Sequence, residues 1–102
     1  MKALINGILE WSMSDENTGE VRDGINLYYS SPAVYYENLK GVSGLYPAKC
    51  KISSELVNKH SLKTLNYPII AELEFTAMVT PKGKSIAVLT DLKNIKSLKL
   101  FD

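Results

Sequence analysis

The sequence predicts a mostly β domain, a small five-stranded Greek-key barrel with one short helix between the third and fourth strands. Apolar and polar residues alternate with a period of two over several stretches, which is typical of strands with one buried face. Clusters of Gly, Pro, Asp, Asn and Ser separate these stretches and predict turns. A chain of 102 residues is long enough for one domain with its own core. We therefore treat residues 1–102 as a single domain.

The amino-acid composition is that of an ordinary globular domain and argues against several classes of function. Hydrophobic residues make up 45% of the chain and charged residues 23%, as in ordinary globular domains. The net charge of +1 argues against a protein that coats duplex DNA by charge alone. Cys50 is the single cysteine, so an internal disulfide is impossible and a zinc site is not expected. No metal or other cofactor is predicted.

The protein is expected in the cytoplasm, or in the host cytoplasm if it is viral, with no membrane partner. No stretch approaches the length of a transmembrane helix. The opening residues do not read as a signal peptide, because Asn6 and Gly7 interrupt a short apolar run. A lone thiol also stays reduced in the cytoplasm.

The first strand is predicted over residues 2–13, followed by a polar loop over residues 14–24. Trp11 has the same parity as Ile5, which predicts that its ring lies in the core or at a half-buried rim. Gly7 is a candidate for a bend or bulge within this strand.

The remaining elements follow from the same alternation and from turn residues. The second strand is predicted over residues 25–29, with an interruption at residues 30–32 around Pro32 and a possible continuation over residues 33–39. After a glycine turn over residues 41–44, a third strand (45–53), a short helix (53–60) and a connector (61–68) are predicted. They are followed by a fourth strand (69–79), a hairpin turn (80–84) and a fifth strand (85–92). The tail (95–101) is predicted to add a strand or a dimer contact. The order β-β-β-α-β-β is that of an oligonucleotide-binding (OB) barrel.

Tyrosines are concentrated between residues 25 and 53, a stretch that also contains Lys40, Lys49 and Lys51. This stretch contains five of the six tyrosines, including the adjacent pairs Tyr28 with Tyr29 and Tyr35 with Tyr36. Neighbouring side chains of a strand point to opposite faces, so one ring of each pair is expected on the outer face. Rings and cations together on an outer face stack unpaired bases and bind their phosphates. Tyrosine is also common in strands without any such function, and that interpretation stays open.

The third predicted strand separates its side chains by parity. Lys49 and Lys51 share the solvent side, whereas Cys50 alternates with them and is predicted to be a small buried hydrophobe. Lys82 and Lys84 flank the tip of the last hairpin, where they could bind a phosphate or simply be part of a polar turn.

The order of several of these features resembles the single-stranded DNA-binding proteins of filamentous phages, the gene V type. Gly24 precedes a strand with Tyr28, Tyr46–Pro47 opens the next strand, and an apolar strand leads to a hairpin with Gly83 at its tip. The resemblance implies an OB-like barrel that acts as a homodimer and binds unpaired DNA cooperatively, without sequence preference. The DNA-facing residues that it implies are Arg22, Tyr28, Tyr36, Tyr46, Lys49 and Lys51, to which the tip lysines Lys82 and Lys84 are added.

We expect a protein that binds single-stranded DNA, or RNA, and is not an enzyme. The single histidine, His60, has no partner that the sequence designates for acid–base or nucleophilic catalysis. The alternative from another class is a protein-interaction accessory module of a phage or plasmid replication system, in which the exposed tyrosines would form a contact patch. A small enzyme is the third possibility.

Overall fold

The structure is a computed structural model and describes residues 1–32, 40–41 and 43–98. The predicted continuation of the second strand over residues 33–39, which includes Tyr36, lies outside the described residues. Residues 99–102 at the end of the tail lie outside them as well.

Five antiparallel strands form one sheet in the order β3-β2-β1-β4-β5. The strands are β1 (Lys2–Ser14), β2 (Val21–Pro32), β3 (Leu45–Lys51), β4 (Ile69–Val79) and β5 (Ser85–Ser97). Helix α1 (Ser54–Lys59) and a 3₁₀ turn (Leu62–Thr64) connect β3 to β4. This confirms the mostly β class and the position of the short helix. Neither helical segment of the described chain has the length or the apolar run needed to span a bilayer.

Two strands are longer than predicted. β2 runs without interruption to Pro32, which is its last residue and pairs with Leu45. A proline at the end of a strand leaves the ladder before it intact, so the predicted break at residues 30–32 was wrong. Ser31 is fully buried within this part of β2. β5 continues to Ser97, and it therefore includes much of the tail that was predicted to add a strand or a dimer contact.

One face of the sheet carries the core. Ile5, Leu27 and Leu73 are buried on three different strands, and Leu56 and Val57 of α1 belong to the same buried cluster. The other buried hydrophobic residues are Ala3, Tyr29, Ile52, Leu62, Ile69, Ala71, Leu89 and Leu92. The core therefore lies between the central strands and the α1 connection, as the alternation in β4 predicts.

A bulge in β1 changes which side chains face this core. Ile5 pairs with Tyr29 and Gly7 pairs with Tyr28, so Asn6 is one extra residue on the β1 side of the ladder. Side chains alternate along a strand, and an extra residue exchanges the two faces for everything that follows. Odd-numbered residues of β1 therefore face the core before the bulge and the outside after it.

Trp11 is the residue most affected by the bulge. Its parity with Ile5 predicted that both side chains share one face, and this expectation was wrong. Trp11 pairs with Gly24 and its ring lies half-buried on the face opposite to the core, whereas Ile8 packs against the core.

Helix α1 is anchored at both ends. The hydroxyl of Ser53, the N-cap, accepts a hydrogen bond from a backbone N–H of the first turn. At the other end, His60 Nε2 lies 3.0 Å and Lys59 Nζ 3.5 Å from Oδ1 of Asp91 on β5. The hydrogen bonds from His60 and from the backbone N–H of Leu92 lower the pKa of Asp91 to about 2. An ionised carboxylate only accepts hydrogen bonds, so His60 Nε2 is the donor.

We predict that Asp91→Asn loses less folding stability than the wild type when the pH is lowered into the acidic range. The pKa of Asp91 is depressed in the folded state, so its contribution is fully present above the unfolded value, near 3.9, and is lost as the pH falls from about 4 towards 2. Thermal midpoints followed by circular dichroism between pH 7 and pH 2 measure this loss.

Asp23→Asn is the matched control, because Asp23 is exposed and makes no hydrogen bond or ion pair with another described residue. If the wild type, Asp91→Asn and Asp23→Asn lost stability in parallel below pH 4, the contact between α1 and β5 would not contribute to the acid transition.

Candidate nucleic-acid interface

The outer face of β1, β2 and β3, opposite to the core, is the candidate interface. Tyr28 lies at its centre, between Gly7 on β1 and Lys49 on β3. A Cβ atom added to Gly7 would meet nothing within 4 Å, so the surface beside Tyr28 is open on that side. The ring is half-buried, and its hydroxyl makes no hydrogen bond to a described residue. Tyr28 therefore combines an accessible ring with a cross-strand ammonium group.

The next two rows of the ladder continue this face towards the loop between β1 and β2. Asn26 lies between Leu9 and Lys51, and Gly24 pairs with Trp11 one row further on. Arg22 and Met13 form the last outward pair before the loop. The cations of the outer face are thus distributed along its whole length, with aromatic rings between them.

Charge is segregated between the two faces of these strands. The outward residues of β1, β2 and β3 include Arg22, Lys49 and Lys51, and none of the described ones is a carboxylate. Glu10 pairs with Ile25 and therefore points to the opposite face, where it forms an ion pair with Lys63. Alternation along the strands thus produces a cationic face in a chain whose net charge is only +1.

The cations of this face are available to a ligand. Within the described ranges, no carboxylate lies within ion-pair distance of Lys49 or Lys51. Arg22 lies 3.9 Å from Glu20, and the two side chains are 76% and 60% exposed. An ion pair this exposed contributes little, so a phosphate can replace Glu20 as the partner of Arg22.

The cationic region ends where β4 begins. The outward residues Glu72 and Glu74 are engaged on β5, since Glu72 Oε2 accepts a hydrogen bond from Asn94 (2.6 Å) and Glu74 Oε1 lies 2.7 Å from Lys93 Nζ. The contact with Glu74 raises the pKa of Lys93. These carboxylates make the outer face of β4 and β5 unfavourable for a polyanion, which leaves β1 to β3.

Tyr46 is separated from the other predicted site residues of β3. It pairs with the buried Ser31 and shares its parity with Ala48 and Cys50, which pack against the core. By alternation it lies on the side opposite to Lys49, and its ring is half-buried. Cys50, predicted to be buried, is only half-buried, although it packs against the core. Its partial burial raises the pKa of the thiol to about 11.

Lys82 and Lys84 are exposed at the tip of the β4–β5 hairpin, far from Tyr28 along the sheet. β4 pairs with β1 only near the beginning of β1, from Lys2 to Ile5, and then extends beyond it. Arg22 lies on the hairpin that extends in the opposite direction. The structure therefore brings Tyr28, Lys49, Lys51 and Arg22 to one face and leaves Lys82 and Lys84 at another end.

Trp11 is the residue of this face that sequence reasoning missed. Its indole Nε1 is shielded from solvent, and no described residue accepts a hydrogen bond from it. Two signals pointed to it, since Gly7 marked a possible bulge and Gly24 is a glycine of the kind that an aromatic ring on the neighbouring strand covers. Cross-strand pairing had to be known before either signal could be used.

His60 is engaged with Asp91, and no group of three or more His, Cys, Asp or Glu side chains is placed to hold a metal ion within the described ranges. No family model, curated protein sequence or solved structure matches this chain. What the outer face binds therefore has to be inferred from its own chemistry.

Proposed function

We propose that the protein binds single-stranded DNA without sequence preference, through the outer face of β1 to β3, and that it is a non-enzymatic cytoplasmic factor in the replication of a phage or mobile element. The observation that carries this proposal is the row of Gly7, Tyr28 and Lys49, on a face that also carries Arg22, Lys51 and Lys2 and no described carboxylate. An unpaired base stacks on the ring of Tyr28, and Lys49 binds an adjacent phosphate. Stacking is possible for every base, which accounts for the lack of sequence preference.

The strand order supports an OB-like barrel as the finer description of the fold. An OB barrel opened between its third and fifth strands has the order β3-β2-β1-β4-β5, with the helix between β3 and β4. Some Cα atoms of the edge strands β3 and β5 also lie within 8 Å of each other. Proteins of this fold bind oligonucleotides on the face of strands 2 and 3, where Tyr28 and Lys49 lie.

We predict that Tyr28→Ala weakens binding to a fluorescein-labelled oligo-dT by about 5- to 150-fold, the loss expected for one stacked base at ~1–3 kcal/mol. Tyr28→Phe keeps the ring and is expected to bind within about threefold of the wild type. Fluorescence anisotropy at low salt measures both affinities, and oligo-U in place of oligo-dT tests for RNA binding.

Tyr46→Ala is the comparison that separates the two faces, because Tyr46 lies on the core-facing side of β3. A loss of affinity in Tyr46→Ala but not in Tyr28→Ala would place the stacking surface elsewhere. If the wild type failed to bind oligo-dT and oligo-U at low salt, the nucleic-acid function would be refuted and the protein-interaction alternative would replace it. The exposed Leu9 and Met13 on the same face would then be the expected contacts.

We predict a shallow salt dependence. Three phosphates neutralised by Arg22, Lys49 and Lys51 give a slope of log K against log salt of roughly −2 for a single strand. Lys49→Gln should reduce the magnitude of that slope by about 0.7. Lys96→Gln removes the same charge from β5, where Lys96 is exposed, and it should leave the slope unchanged. Equal slopes in all three proteins would exclude a phosphate contact at Lys49.

We also propose a homodimer, with the exposed apolar residues of the β4–β5 hairpin as its contact surface. Met78 and Ile86 pair across the two strands and point to the same face, whereas Val79 follows Met78 and points to the other face. The exposed fractions of Met78 and Ile86 are 53% and 46%, so this face of the hairpin carries an exposed apolar pair. A two-fold axis would bring this patch against the same patch of a second copy, so one apolar surface would cover the other.

We predict that Ile86→Asp shifts the protein from dimer to monomer in size-exclusion chromatography with light scattering, because it places a carboxylate in an apolar contact. Asn58→Asp adds the same charge to exposed α1 and should remain dimeric. A wild-type mass equal to one chain at every concentration tested would refute the dimer without affecting the DNA-binding prediction.

A further inference from the structure

We propose that Trp11, seated on Gly24, is a second base-stacking position, so that the bound single strand runs along β2 from Tyr28 towards the loop between β1 and β2. This inference rests on the proposed function and specifies its ligand path. Gly24 and Tyr28 are four residues apart on β2, which places the two rings roughly 13 Å apart at about 3.3 Å per residue.

A cation lies between the two rings. Asn26 is midway between Gly24 and Tyr28 on β2, and its partner on β3 is Lys51. Lys49 is level with Tyr28, and Arg22 lies one row beyond Gly24. Along β2 from the loop, Arg22 comes first, then the ring of Trp11, then Lys51, and finally the ring of Tyr28 level with Lys49. Cations and rings therefore alternate, as phosphates and bases do in a single strand.

The position of the indole depends on the absence of a side chain at residue 24. A Cβ atom built on Gly24 would lie 2.7 Å from Cζ2, 2.9 Å from Cε2 and 3.1 Å from Nε1 of Trp11. The ring of Trp11 thus occupies the outward position of β2 in this row. A surface cavity of about 430 Å³ beside it is lined by Trp11, Arg22, Gly24 and Lys51 and, from the other side of β2 and beyond β3, by Val21, Asp23, Ile25 and Ile52. One ring and two cations, together with the carboxylate of Asp23, therefore border this space.

The unpartnered indole N–H distinguishes Trp11 from an ordinary structural tryptophan. Buried tryptophans normally donate this hydrogen to an acceptor, whereas no described residue accepts one from Nε1 of Trp11. No described side chain holds the ring on Gly24 by a hydrogen bond, so a small displacement lets the N–H reach an oxygen of a phosphate or base while the ring stacks. The competing explanation is that the ring only shields the backbone at Gly24.

The experiment uses Trp11 as its own probe, because it is the single tryptophan of the chain. Full-length protein is titrated with oligo-dT at low salt, while tryptophan emission and the anisotropy of labelled oligo-dT are both recorded. We expect quenching of the emission that follows the same binding curve as the anisotropy. Trp11→Leu should bind about 5- to 150-fold more weakly, and Trp11→Phe should lose less.

Gly24→Ala is the second variant, since its methyl group displaces the ring while Tyr28 and the cations of the face remain. We expect weaker binding and an altered emission spectrum in this variant. Asn17→Ala is the control, because Asn17 is exposed at the tip of the same hairpin and does not line this cavity. Circular dichroism melts establish that each variant is folded, and if Trp11→Leu is not, the wild-type quenching and Gly24→Ala decide.

The outcomes separate this inference from the function on which it rests. The stacking role of Trp11 is overturned if binding depends on Tyr28 but leaves the emission of Trp11 unchanged, and if Gly24→Ala or Trp11→Leu binds as tightly as the wild type. The DNA-binding proposal then stays in place. A complete lack of binding by the wild type overturns both.

Discussion

The extra residue in β1 is the constraint on which the rest of this surface depends. Ile5 and Gly7 pair with consecutive residues of β2, so Asn6 has no place in the regular ladder. Because strand side chains alternate with a period of two, one unpaired residue exchanges the two faces for the whole remainder of β1. Ile5 can then fill the core while Trp11 stands on the outside. A regular β1 would bury Trp11 and expose Ile8.

The same alternation sorts charge. On β1 and β2 the carboxylates of Glu10 and Asp23 occupy the core-side parity, and the cations of the outer face occupy the other. Charges on opposite faces of a sheet are separated by protein, and solvent screens exposed charges over about 8–10 Å. A ligand on the outer face therefore encounters mainly cations, although the whole chain is almost neutral. Net charge alone underestimates what such a face can bind.

The core supports only the middle of the long strands. Both hairpins extend past the buried residues, and their ends expose Met13 (67%), Val21 (65%) and Val79 (74%). Side chains on these overhanging segments add little to stability, because both faces of the sheet are open to solvent there. They are free to contact other molecules instead, which places the proposed DNA path on one overhang and the proposed dimer contact on the other.

Local sequence determined the type of most elements. The alternation in Ile69–Val79, the turn that follows it and Ser53 as an N-cap are set by residues close together in the chain, and the structure has all three. The side on which Tyr46 lies could also be read from its parity with Cys50, although the resemblance to phage proteins grouped it with the lysines. Only the tertiary structure decided that β2 continues to Pro32 and that Trp11 faces outward. Both depend on the register between strands far apart in sequence, which no local pattern of residues contains.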